Sequence, residues 1–66
     1  MLSDEQVHTA FTAVLGFQAR AADLGILRAM GGTPEVLAEY IWDHWLGEPE
    51  EPTAEQILAA VREAIS

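Results

Sequence analysis

Gly31-Gly32-Thr33-Pro34-Glu35-Val36-Leu37-Ala38-Glu39-Tyr40-Ile41-Trp42-Asp43-His44-Trp45-Leu46-Gly47 holds a complete helix with its start and stop signals. Threonine is a good N-cap, and proline at the first helical position loses nothing by lacking an N–H. Glu35 sits well near the positive end of the helix dipole. Gly31-Gly32 ends whatever precedes, because glycine enters the left-handed conformation without steric cost, and Gly47 ends this helix in the same way. At roughly 100° per residue, Leu37, Tyr40, Ile41, His44 and Trp45 fall on one side, while Glu35, Glu39 and Asp43 stack on the other. Trp42 and Leu46 flank the acidic stripe, so the helix carries more apolar surface than one side of a small bundle covers.

Outward from this segment, Ser3-Asp4-Glu5-Gln6 and Thr53-Ala54-Glu55-Gln56 both have the spacing of a capping box, in which a hydroxyl and a glutamine satisfy each other's backbone N–H groups. Glu48 to Pro52 contains two prolines and three glutamates and reads as an extended, solvated connector. Val7, Ala10, Val14, Phe17, Ala21 and Leu24 recur at helical steps. Gly16 and Gly25, each costing a helix interior about 1 kcal/mol relative to alanine, favour a break near Gly16-Phe17 over one bent helix. Leu27 supports the break, since in a continuous helix it would share a side with Thr9, Arg20 and Asp23. No run alternates with period two. The expected fold is all-α, a small bundle of three to four short helices in one domain over residues 1–66. The helices lie at about 4–15, 18–30, 34–46 and 54–65, with a connector at 47–53.

The chain has 66 residues, half of them hydrophobic, no cysteine, and a net charge of −8 from three Arg and eleven Asp plus Glu. A domain of this size buries only about 60% of the surface its unfolded chain exposes. Disulfides and Cys-based metal sites are excluded, which leaves association as a source of further stability. Arg20, Arg28 and Arg62 are scattered, and no cation lies between the last two, so direct nucleic-acid binding and anionic membranes are disfavoured. Arg20, Asp23 and Arg28 interrupt the most apolar stretch, and Asp4 and Glu5 stand where a signal peptide would be positive. A soluble, cytoplasmic protein is the expectation.

Chemistry finds little to work with. Serine occurs only at positions 3 and 66, so no internal nucleophile or carrier-arm attachment exists. His44 and Glu48 are separated by Gly47, His8 is distant, and no His-x-x-x-His or Glu-x-x-His pair occurs. No catalytic, metal or cofactor residues are expected, and His44 is read as half-buried beside Tyr40. Ala21, Gly25 and Ala29 repeat every four positions and suit a close helix contact, read first as one within the domain.

Three functional readings follow. The first is a protein-interaction or accessory module without catalytic activity, binding a partner or itself as a homo-oligomer through Trp42, Trp45, Leu46, Ile57, Val61 and Ile65. The second is an acidic inhibitor, such as a phage-encoded nucleic-acid mimic, that blocks a basic protein through Glu35, Glu39, Asp43, Glu48, Glu50 and Glu51. The third is a structural subunit that completes a larger assembly.

Leu15-Gly16-Phe17, followed by Leu27-Arg28-Ala29, Gly32 and the run from Glu35 to Ile41, is faintly similar to the ubiquitin-associated domain. That family is a three-helix module with a Met-Gly-Phe-type loop and a glycine in its second turn. The resemblance covers residues 4–46 and implies a protein-binding face made by Leu15, Gly16 and Phe17 with the end of the third helix. The spacing from loop to second helix is one residue longer than the family's, and the first-helix hydrophobics are out of its register. The chain is therefore not assigned to the family.

Overall fold

A computed structural model describes residues 1–66 as four helices and no strand: α1 (Asp4–Leu15), α2 (Ala21–Ala29), α3 (Pro34–His44) and α4 (Ala54–Ile65). Each start follows from local chemistry. At α1 the Ser3 hydroxyl accepts the Gln6 N–H at 3.1 Å and the Gln6 side-chain carbonyl accepts the Ser3 N–H at 2.9 Å. Thr53 and Gln56 repeat this box at α4, and Thr33 caps α3 by accepting the Val36 N–H. Gly16, at φ 85°, ends α1 in the left-handed conformation, so the first half is two helices rather than one bent helix.

Two boundaries differ from the sequence expectation. The second helix begins at residue 21, three positions late, because Arg20 is extended at φ −81° and ψ 162° and acts as the N-cap. Its backbone N–H donates to the Asp23 carboxylate at 3.0 Å, an arrangement that keeps residues 18–20 out of the helix. The third helix ends at His44, two residues early. Leu46 N–H then reaches the Ile41 carbonyl and Glu48 N–H the Trp42 carbonyl, with Gly47 and Glu48 both at positive φ.

α4 packs against both α1 and α3, and α2 touches α3 over a short stretch only. The core accordingly comes from three helices: Val7, Ala10 and Phe11 of α1, Leu37, Ala38, Tyr40 and Ile41 of α3, and Ile57 and Val61 of α4. Leu27 is the one hydrophobic residue that α2 places in the fully buried core, and Ala19 adds to it from the preceding loop. α2 closes one side of a three-helix unit. No helix is long and apolar enough to cross a membrane.

Tertiary contacts hold α2 at its ends. Asp4 and Arg28 form an ion pair at 2.7 Å, and Leu2 N–H donates to the Gly32 carbonyl, which ties the start of α1 to the α2–α3 turn. At the other end Phe17 and Trp45 meet edge to face at 5.1 Å, Phe11 lies beside both, and the Arg20 guanidinium stands 4.8 Å from the Trp45 ring.

Candidate functional site

The residues expected to bind a partner divide into two groups. Ile57 and Val61 are 2% and 0% exposed, part of the protein's own core, so they cannot form a docking surface in this conformation. The physical reason is the direction of α4, which turns back onto α1 and α3 after the connector. Trp42, Trp45, Leu46 and Ile65 are half-buried against that core. The Trp42 indole N–H donates to the Pro49 carbonyl at 3.3 Å, so this side chain fastens the connector to α3. Trp45 belongs to the aromatic group with Phe11 and Phe17, and its indole N–H is buried without a partner. Phe17 thus meets the end of α3 inside the domain.

Of the four large hydrophobic residues that are exposed, Met1, Phe17, Ile26 and Met30, the last two lie together on and beside α2. Asp23 and Leu27 face inward, whereas Ala21, Ala22, Gly25, Ile26 and Ala29 are all exposed, together with Met30 just past the helix. Ile26 is 44% and Met30 50% exposed. By helical geometry these six residues span about half the circumference without a charge among them. The small-residue stripe Ala21, Gly25 and Ala29 therefore serves no contact within the domain, which corrects the first reading of it. A methyl added at Gly25 meets nothing within 4 Å. The sequence carried the signal, since Leu24 and Leu27 on one side and Ile26 and Met30 on the other make a two-sided helix.

Asp23 is a buried residue to which the sequence reading gave no role. It is 0% exposed and accepts hydrogen bonds from the Arg20 backbone N–H, from Nε and Nη2 of Arg20 at 3.0 and 3.1 Å, and from the Tyr40 hydroxyl. The Arg20 guanidinium, above all, holds the Asp23 carboxyl at about 2, against the opposing effect of burial. Burial first, and then Asp23, pushes the Tyr40 hydroxyl above its ordinary value. This cluster is closed to solvent at its carboxylate and joins α2 to α3; it is a strut with no access for a substrate.

The six carboxylates expected to form an acidic surface, Glu35, Glu39, Asp43, Glu48, Glu50 and Glu51, are all exposed. Arg62 reaches Glu35 at 2.7 Å, so the block between Arg28 and Arg62 is compensated at one point that the sequence leaves open. The Glu35 carboxyl is held below the ordinary range, by its own backbone N–H at the start of α3 first and by Arg62 second. Glu39 has no basic partner, and Asp43 has only His44 nearby, at 3.9 Å. Asp43 raises the Glu48 carboxyl above its ordinary range, first as a hydrogen-bonding partner and then as a like charge. Glu50 and Glu51 stand out on the connector. His44 stacks on Tyr40 at 4.4 Å and is 54% exposed, so it is about half covered beside that ring.

Two depressions mark this side. One, of about 250 Å³ between α3 and α4, has Val36, Ala38, Ala54 and Leu58 along it, and Glu35, Glu39 and Glu55 around it. The other, of about 230 Å³, lies under Tyr40, Trp42 and His44 with Met30 at its edge. No three His, Cys, Asp or Glu side chains converge as a metal site would require. Compared with known proteins, the chain matches no family model, no curated protein and no solved structure.

Proposed function

We propose that this protein is a small interaction module that acts by docking on another protein through the outer face of α2, with no chemistry of its own. The observation that carries this reading is the two-sided character of α2. A surface helix of a soluble domain ordinarily has one apolar stripe and a charged opposite face, while a helix apolar all round belongs inside a larger structure. α2 has Leu24 and Leu27 toward α3 and Ala22, Ile26, Ala29 and Met30 toward solvent. Covering an aliphatic side chain completely is worth about 1.5–3 kcal/mol relative to leaving it exposed, and Ile26 and Met30 are each about half exposed. The small residues between them allow a partner helix to approach closely. A closed core of its own under α1, α3 and α4 favours a docking module over a subunit whose interior is completed by others.

The experiment is co-purification from the native source with the wild-type protein and an Ile26→Glu/Met30→Glu variant in parallel. Both substitutions lie on exposed positions and leave the core intact, which circular dichroism checks. The expected result is a partner retained by the wild type and lost by the variant. A variant that retains everything the wild type retains overturns the assignment. A second copy of this chain as the partner would appear as a concentration-dependent mass in sedimentation, abolished by the same two changes.

A further inference from the structure

We propose that the groove between α3 and α4 takes an apolar side chain from a basic, amphipathic segment of another protein, at a surface separate from α2. The groove, about 250 Å³, is smaller than the 300–1,000 Å³ typical of small-molecule pockets and is of a size for one or two protein side chains. Val36, Ala38, Ala54 and Leu58 make it apolar along its length, and the carboxylates of Glu35, Glu39 and Glu55 surround it. Apolar walls with a charged border of one sign select an anchor side chain flanked by charges of the other sign.

The charge of the occupant follows from the ion pairs. All three arginines are engaged within the molecule, Arg20 with Asp23, Arg28 with Asp4 and Arg62 with Glu35. Glu39 and Glu55 make no ion pair, and the chain has no further Lys or Arg to offer them. A second copy would bring another net charge of −8 to the same place, so repulsion disfavours self-docking here. Lysine or arginine beside the anchor is the complement, and an amphipathic helix with an aliphatic residue between cations presents that pattern in its simplest form.

The test uses the intact protein and a synthetic helical peptide with leucines at i and i+4 flanked by lysines, followed by fluorescence anisotropy and by backbone amide chemical shifts. Saturable binding is expected, with shifts centred on Val36, Ala54 and Leu58 and affinity that falls steeply as salt is raised. Glu39→Gln/Glu55→Gln, two exposed and therefore foldable changes, should together weaken binding about tenfold, which corresponds to about 1.4 kcal/mol shared between two solvent-screened contacts. Peptides with alanine for leucine or glutamate for lysine should not bind, and Ile26→Glu, on the part of α2 that lines neither depression, should bind as the wild type does. That last variant separates this surface from the α2 face, so either assignment can fail alone. The proposal is overturned by absence of saturable binding, by shifts centred on α2, by equal affinity for the glutamate peptide, or by indifference to Glu39→Gln/Glu55→Gln. Concentration-dependent self-association with shifts at Val36 and Leu58 overturns it as well, in favour of a second copy.

Discussion

Asp23 shows how one buried carboxylate is made tolerable. An ionised group removed from water costs several kcal/mol unless charge and hydrogen bonds replace its hydration. Here Arg20 supplies the charge and three donors, and Tyr40 supplies a fourth. Because the folded-state pKa of Asp23 lies below its unfolded value, its contribution is full above about pH 4 and is lost as the pH falls through about 2. The difference corresponds to about 2 kcal/mol. Urea denaturation between pH 5 and pH 2, compared for the wild type and Asp23→Asn, should show a larger acid loss of stability in the wild type, since the depressed Glu35 carboxyl contributes to both. Tyr40→Phe keeps the carboxylate but removes a buried donor, with an expected cost of about 1–2 kcal/mol at neutral pH. No loss of stability in Tyr40→Phe would mean that the Tyr40–Asp23 contact is not formed in solution.

This is also where the sequence was hardest to read. An aspartate and an arginine three apart default to a solvated face, and nothing local announces that a tyrosine 17 positions later closes over them. Leu27, the residue that sat awkwardly among polar neighbours in a one-helix reading, was the available clue. It is four residues from Asp23, shares its side of the helix, and is 2% exposed.

At the level of the helices, the legible features were those decided within four residues. Ser3–Gln6, Thr33-Pro34, Thr53–Gln56 and Gly16 mark helix ends by chemistry that needs no tertiary partner, and the structure uses each of them. What the sequence leaves open is which helix faces which. The final helix, with its apolar stripe, reads first as docked on its own domain and second as reaching a partner, and its packing on α1 and α3 agrees with the first. α2 is the reverse case, since its small residues suit a contact that nothing inside the chain makes. Gly25 belongs to this scale. It lies mid-helix with nothing within 4 Å of an added methyl, so Gly25→Ala should stabilise the isolated protein by about 0.5–1 kcal/mol, read as a higher thermal midpoint. The same methyl stands on the proposed contact face, so affinity for an α2 partner should fall while stability rises.

For the whole molecule, charge sets the terms. Eleven carboxylates face three guanidinium groups, and those three are already paired, so eight carboxylates are left without an arginine, five of them on α3 and the connector. Asp43 and Glu48 are the place where their repulsion concentrates, and the raised Glu48 pKa has the opposite sign to that of Asp23: its contribution is present below its ordinary value and lost as the pH rises. Asp43→Asn should therefore raise the thermal midpoint at neutral pH, and added salt should narrow the gap between variant and wild type. A lower midpoint for Asp43→Asn would show that these two groups do not repel.

Two of the three arginines bracket α2, Arg20 at its N-cap and Arg28 in its last turn, and the third lies in α4. With no lysine anywhere, trypsin can nick the polypeptide at three points only. Limited digestion thus becomes a local clock: the early cuts record how often α2 peels away from the three-helix unit, and a bound companion on its outer face would slow that clock.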